Sequence, residues 1–359
     1  MNHAPGKPQN RLAQTLRSAP APPDLIQHTI FPMHIMQLGI SAPFAKSSPV
    51  VNIPVTYRRY KYYMKCDVHV HSEYSGRCVS PAFLRRVCRE SYSAAEQVYA
   101  TLKTRGMDLV TLTDHDSIEG AEELRRHEDF FASEEVTCRM PSGTTVHIGV
   151  YDLTESQHIG IQSRRNDLES LIAHLKEQRL FFAVNHVFSS LTGRRVLEDF
   201  DWFISGFPAF ETRNGHMLAS NNRGAARLAR WTRKVGLGGS DGHTLASIGT
   251  TYTVVPGARN KQEFLAGLRS GRGRVRGQSG SYWKLMRDVL LISLEMMHDK
   301  RWTVLLAPLA VMIPPAILTN YCKEVFFGRY WMRSATRAYR RAGQVPLWRS
   351  GAASGESPA

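Results

Sequence analysis

The chain has 359 residues, 42% of them hydrophobic, and a formal net charge of +15. That length allows one large domain with appendages or two modest domains, and the apolar share suffices for a sizeable core. Five cysteines, an odd set with no C-x-x-C pair, exclude a disulfide framework and a thiolate zinc site and suit reduced thiols in the cytosol. The arginine-rich charge favours anionic partners, whether phosphate esters, nucleic acid or an acidic membrane face, although much of the excess lies towards the two ends.

In chain order, residues 1–63 are rich in Pro, Ser, Ala and Gln and sustain no period, so they are expected to be disordered. They carry no basic start, apolar run and small-residue cleavage site of a secretory signal. Met64 opens the first convincing strand, which makes an extension upstream of the functional start an alternative reading. From there strands and helices alternate. Strands are expected at 65–71, 109–114, 146–151, 181–185, 207–211, 235–239 and 250–255. Ser80 and Pro81 read as the start of a helix that ends near Thr104, before Gly106. Further helices are expected over 164–178, 221–234 and 261–271, the last with Asn260 and Glu263 as a capping box. Such alternation predicts a parallel α/β architecture over 64–278, and a barrel would gather the strand ends on one face.

The strand ends carry the chemistry. "CDVHVHSEYSG" gives His69 and His71, two apart on one strand face with Asp67 behind them. "LVTLTDHDS" gives Asp114, His115 and Asp116, and Glu135 precedes a short β run. "TTVHIGV" offers His147, "AVNHV" offers His186, and "GGSDGHT" offers Asp241 and His243. Six of the 14 histidines thus fall at or within expected strands beside carboxylates. Any one alone reads more readily as a satisfied or exposed histidine; the ordered series points to a metal cluster.

This series resembles the polymerase-and-histidinol-phosphatase (PHP) superfamily of metal-dependent phosphoesterases, over about residues 65 to 275. The resemblance implies a distorted (β/α)7 TIM-like barrel with two or three divalent ions at the C-terminal mouth. The implied ligands are His69, His71, His115, Glu135, His147, His186, Asp241 and His243. One departure stands out: the family's Asp after H-x-H is replaced by Gly76 within Ser75-Gly76-Arg77, and Glu73 is a conceivable substitute. Imidazole and carboxylate ligands without thiolate suit Mn, Zn or Fe. Two such ions polarise a phosphoryl oxygen and lower the pKa of water towards neutrality. Asp114 and Asp116 are expected to orient imidazoles, with capping of a helix near Ser117 an equal reading. Arg213 is the first choice for a phosphate clamp, followed by Arg164, Arg165, Arg194 and Arg195, while Glu211 and Asn214 lie near the mouth on this reading.

Residues 279–359 depart from the barrel pattern. Trp302 to Cys322 carries no charge, reaches the ~20 residues that span a bilayer, and is interrupted by Pro308 and Pro314-Pro315. A kinked or re-entrant anchor is expected, with a basic tail (Arg329, Arg333, Arg337, Arg340, Arg341) on anionic lipid, so that residues 300–345 meet the cytoplasmic face of a membrane. The alternative is a helical hairpin packed on the barrel or at a dimer interface. The function expected is hydrolysis of a phosphomonoester, a nucleotide or other small phosphate ester. A nuclease acting on nucleic-acid ends and a catalytically silent metal-binding scaffold are the rivals.

Overall fold

Period-2 apolar segments form strands here wherever their backbone groups find a neighbouring strand. The computed structural model describes residues 62–77 and 84–341. The expectations for residues 1–61 and for the Ser80-Pro81 helix start lie outside the described residues. The strands are β1 (Tyr63–Cys66), β2 (Ser133–Arg139), β3 (Thr145–Tyr151), β4 (Phe181–Val184), β5 (Ala209–Asn214), β6 (Val235–Gly239), β7 (Thr251–Pro256) and β8 (Arg274–Gly277). The helices are α1 (Ala95–Thr104), α2 (Glu119–Leu124), α3 (Glu155–Gln162), α4 (Leu168–Glu177), α5 (Glu198–Gly206), α6 (Ala219–Trp231), α7 (Lys261–Arg269), α8 (Tyr282–Asp299) and α9 (Ile313–Arg341).

The fold is mixed α/β, but the expected closed parallel barrel is not what forms. One sheet has the order β2-β3-β4-β5-β6 and a second the order β1-β7-β8. Only β4–β5 and β5–β6 pair in parallel; β2–β3, β3–β4 and both pairings of the smaller sheet are antiparallel. The reason is local. Gly143, at φ +81°, turns β2 straight back into β3, and the Met140 N–H bonds the Thr144 carbonyl across that turn.

Between the sheets, side chains take over backbone bonds that a ladder would make. Asp67 accepts the N–H groups of Ser240 (2.8 Å) and Gly249 (2.6 Å), and Thr113 Oγ1 accepts that of Val70 (2.9 Å). Residues 109–114, expected as a strand, therefore run alongside their neighbours with isolated parallel bridges only: Val110–Phe130 here, His115–Glu135 just beyond, and Val70–Gly242 on the other side. Burial carries these segments: Val70, Val110, Leu112, Val136, Ile148, Val184 and Phe210 are all fully enclosed. Each such side chain contributes roughly 1.5–3 kcal/mol by leaving water.

α1 begins at Ala95, well after the expected start, because residues 84–94 form turns and an Arg77–Arg89 bridge instead. Asn260 caps α7 as expected by accepting the Glu263 N–H at 2.9 Å, but Glu263 takes the Arg259 N–H, so the box closes one residue early. At the C-terminal end Pro308 lies inside a 3-10 helix, Arg301–Met312. Pro314 and Pro315 fall in the first turn of α9, where their missing N–H groups cost no helical bond, so the chain starts a helix there rather than kinking one. α9 packs on α6 through two close approaches. A Cβ at Gly224 would meet Met332 Sδ at 2.1 Å, and one at Gly328 would meet Asn221 Oδ1 at 2.3 Å.

Candidate metal centre

The end of β2 and the loops leaving β1, β4 and β6 converge on the carboxylate of Glu135, which is 1% exposed. Its Oε2 lies 3.2 Å from His69 Nε2, 3.5 Å from His71 Nε2 and 3.4 Å from His115 Nδ1. Its Oε1 lies 3.2 Å from His186 Nε2 and 3.5 Å from His147 Nδ1. Asp241 Oδ1 completes one side, 3.2 Å from His71 Nε2 and 3.5 Å from His69 Nε2. The His243 ring stacks on His71 with centroids 4.2 Å apart.

These separations are long for hydrogen bonds but right for donors around one cation. Ligands at roughly 2.0–2.1 Å in a tetrahedron stand about 3.3–3.4 Å apart. Moreover His69 Nε2, His71 Nε2, His115 Nδ1, His147 Nδ1 and Glu135 Oε2 are buried without a hydrogen-bond partner. Orphaned buried donors and acceptors are costly, and a divalent ion would satisfy them together. The residues therefore fit a metal cluster. Burial, with His243 alongside, pushes His71 down to about 3, and burial holds His115 well below its ordinary value. Both imidazoles are thus neutral, the form that ligates. Burial would raise Glu135 and Asp241, but the surrounding histidines win and keep both carboxyls ionised.

A ring of hydrogen bonds aims these groups. His69 Nδ1 lies 2.8 Å from Glu211 Oε1, and Glu211 Oε2 accepts the His186 N–H at 3.0 Å. Asn214 Nδ2 donates to both Glu211 and Asp241, and Asn185 Nδ2 donates to Glu135 Oε1 at 2.8 Å. His71 Nδ1 lies 2.7 Å from Ser75 Oγ, which in turn donates to Asp114 at 2.9 Å. Of the six described non-glycine residues with positive φ, three are here: Asp116 (53°), His186 (28°) and Asp241 (53°). Such conformations cost about 1–3 kcal/mol each and gather at functional sites.

A family model described as PHP-associated matches residues 219–272, a segment that contains Asp241 and His243 but none of the other six residues named as ligands. This match supports a likeness to the PHP superfamily. An uncharacterised protein of Methanocaldococcus jannaschii is 25% identical to this chain over 158 residues, 44% of this chain and 88% of that one. A two-domain protein from Bacteroides vulgatus containing a predicted PHP-like metal-dependent phosphoesterase aligns with TM-score 0.43 and 20% identity, covering 60% of this chain and 65% of its own. This chain thus spans just under two thirds of that protein. PsfC from Pseudomonas syringae aligns with TM-score 0.46 and 18% identity over 66% of this chain and 98% of its own. The lesion-specific endonuclease EndoQ from Pyrococcus furiosus aligns with TM-score 0.43 and 16% identity, covering 60% and 58%.

All eight residues named as ligands from the sequence converge, and the residues named beside them part ways. Asp114 accepts from Ser72 and Ser75, so it reaches His71 through a serine. Asp116 accepts the Thr137 N–H at 2.8 Å and pairs with Arg165; neither aspartate caps α2, whose N-cap is Ile118. Arg213 lies off the cavity described below, its guanidinium bonded to the Gly277 carbonyl at 2.8 Å. The irregular register between Glu211 and Arg213 turns the two side chains apart, although i and i+2 ordinarily share a strand face. Arg195 is buried on the Thr145 carbonyl and Thr192 Oγ1, and Arg164 bonds Gly160 and Ser163.

Glu73, the conceivable substitute at the departure, pairs with Arg89 at 3.3 Å. Glu90 is the carboxylate that sequence reasoning missed. Its Oε2 stands 3.4 Å from His115 Nε2, buried and without a hydrogen-bond partner. Burial raises this carboxyl to about 7. The Glu90 N–H bonds the Gly76 carbonyl at 3.2 Å, and Gly76 sits at φ +91°, a conformation that an aspartate there would resist. His216 and Asp288 were missed as well; His216 Nε2 lies 2.8 Å from Asp288 Oδ2 at the cavity edge.

The cluster lies at one side of a cavity of about 800 Å³. Glu90, His115, Glu135, His147, His186, Asp241 and His243 form the polar side. α8 adds Leu285, Asp288, Val289 and Ile292 to the lining, and α9 adds Asn320, Tyr321 and Glu324.

Proposed function

We propose that this chain is a metal-dependent phosphomonoesterase acting on a phosphate ester held in this cavity. The observation that carries the reading is Glu135, whose two oxygens face five imidazole nitrogens at 3.2–3.5 Å. In this reading His69, His71, His115, Glu135, His147, His186, Asp241 and His243 hold two or three divalent ions, Mn, Zn or Fe, and Glu90 adds a ninth donor. Such ions polarise a phosphoryl oxygen and bring the pKa of water towards neutrality. The chain's own residues do the rest. Glu211, Asn214, Asn185 and Ser75 fix the ligands in their rotamers, which keeps the site organised before substrate arrives. Asp114 and Asp116 act as positioning residues, the first through Ser75 and the second by holding Arg165 beside the mouth. The phosphate clamp proposed here is Arg165 or Arg77 in place of Arg213, because Arg77 and the Asp116 partner of Arg165 line the cavity.

The same reading attaches the protein to the cytoplasmic face of an anionic membrane through residues 300–345. Among the described residues Arg301–Arg337 is long and apolar enough to cross a bilayer, with a mean hydropathy of 1.8 over its most apolar window. Only 11% of that window is buried, and cations flank it.

Phosphate release from a panel of nucleotide, sugar and glycerol phosphomonoesters, with the full chain and added Mn²⁺, tests the activity. Turnover that disappears in His69→Ala is the expected result. Cleavage of oligonucleotides without release from any phosphomonoester would favour the nuclease reading, and bound metal with neither activity would favour the silent scaffold.

A further inference from the structure

We infer that the substrate is a lipid phosphate: a phosphomonoester carried on a long apolar chain and presented at an anionic bilayer surface. The inference rests on the phosphomonoesterase reading and adds to it what the C-terminal helices bring to the cavity.

α8 lines the cavity with Ser281, Leu285, Asp288, Val289 and Ile292, a stripe at helical spacing. Its polar part is pinned to the α/β body. Asp288 is 2% exposed and accepts from Ser247 and Thr244 while facing His216. Beyond Asp288 the stripe turns apolar, and Leu191 stands among the lining residues with it. A nucleotide or sugar presents hydroxyls and ring nitrogens that need partners. Val289 and Ile292 offer them no partner, whereas an acyl or prenyl chain fits against these side chains; Asn320, Tyr321 and Glu324 of α9 form a separate, polar part of the lining.

The outer faces of the same helices carry the second observation. Leu294 of α8, Trp302, Leu305, Val311 and Met312 of the 3-10 helix and Phe326 of α9 are all more than half exposed, Leu305 at 80%. A soluble helix hairpin docked on a core would bury such residues, and contiguous exposed apolar surface marks an interaction site. Lys300, Arg301, Lys323, Arg329 and Arg333 lie in the same stretch, the charge pattern of a helix lying on anionic lipid. One structural unit therefore provides both a lipid-compatible exterior and an apolar wall facing the metal ligands. A phosphate head can reach Glu135 while its chain stays against α8.

The reaction is R–O–PO₃²⁻ + H₂O → R–OH + HPO₄²⁻. A water oxygen bonds to phosphorus, the ester P–O bond breaks, and a proton passes to the departing lipid oxygen.

The test compares the full chain, with added Mn²⁺, on phosphatidic acid in phosphatidylglycerol vesicles and on soluble glycerol 3-phosphate, which shares the head but lacks the chain. The expected kcat/KM favours the vesicle-borne ester by at least about tenfold. Val289→Asp, which charges the apolar wall, should lower turnover of the lipid. Flotation with the vesicles, read without any catalysis, is expected for the full chain and lost in a Leu305→Asp/Val311→Asp variant. Equal or better turnover of glycerol 3-phosphate would overturn the inference and leave the phosphomonoesterase reading standing. No turnover of either ester, with phosphate still released from a nucleotide or sugar phosphomonoester, would overturn the inference alone; no release from any phosphomonoester by metal-loaded protein would overturn both. Failure to float, with a dimer that dissociates in the double variant, would assign the apolar face to a second copy and overturn the inference.

Discussion

Glu211 touches His69 and the His186 backbone at once, one oxygen 2.8 Å from His69 Nδ1 and the other accepting the His186 N–H at 3.0 Å. It joins the donors contributed after β1 and after β4, and it does so from outside the donor set. Partners of this kind typically govern metal affinity by roughly 10–100-fold. Glu211→Gln should weaken metal binding by about that factor while the far-ultraviolet spectrum stays native. A competition titration with a chromogenic chelator measures it, and unchanged affinity would show that His69 needs no such support.

Glu90→Gln removes a charge but keeps the shape of a side chain whose Oε2 has no partner and faces His115 at 3.4 Å. Metal content after dialysis is expected to fall by one ion per chain. Glu73→Gln, whose native partner is Arg89, should leave it unchanged. The opposite pattern would return the missing carboxylate to Glu73.

Chelation should lower the melting temperature. The orphaned nitrogens around Glu135 are satisfied only when a cation is shared among them, and at free metal 100 times its Kd such binding stabilises a fold by about 2.7 kcal/mol. Melting in EDTA against melting in Mn²⁺ reads this directly, and coincident curves would argue that the cluster holds nothing.

Glu324 anchors α9 by accepting the Ser190 N–H at 2.8 Å, the Ser189 hydroxyl at 3.3 Å and the Asn221 amide at 3.4 Å. Glu324→Ala should cost about 1–3 kcal/mol in stability, the usual penalty for orphaning buried donors. Because Glu324 also lines the cavity, limited proteolysis should cut near residue 190 sooner than in the native chain. An unaltered denaturation midpoint would mean that α9 is held by its apolar contacts alone.

Asp288 gives a pH dependence of definite sign. His216, Ser247 and Arg287 outweigh the cost of burial and depress its carboxyl below the ordinary value. A depressed folded pKa contributes stability that is full above the unfolded value of about 3.9 and is lost as pH falls through the lower folded value. Asp288→Asn should therefore be less stable than the native chain at neutral pH and should show a shallower loss of stability below about pH 4. Parallel acid denaturation curves would contradict this.

Much of the site was legible in the sequence because a metal ligand must sit where backbone direction and side-chain type coincide. His69 and His71, like Asp241 and His243, stand out only as members of the ordered series of strand-end motifs. Glu90 does not: it follows a stretch with helix-start residues, and only the turns at 84–94 aim its side chain at His115. Arg213 misleads for the complementary reason, since strand alternation places it beside Glu211 until an irregular register rotates it away. The barrel expectation erred where polar side chains replace ladder bonds. Asp67 and Thr113 satisfy backbone groups that a periodicity argument assigns to neighbouring strands. Residues 313–341 were readable as apolar and basic, but two prolines looked like a kink until the helix was seen to begin on them.

The bond from Asp67 to the Ser240 N–H joins residues 173 apart in the chain. During synthesis, then, the first histidine pair waits for most of the polypeptide before its backbone is held in place. Until β6 has been synthesised, the Ser240 N–H that Asp67 accepts in the folded chain does not exist. The final cluster is therefore assembled late, and contacts this distant in sequence slow folding. The order in which metal and chain arrive should matter: refolding with excess divalent ion present from the start should be slower than refolding first and adding the ion afterwards.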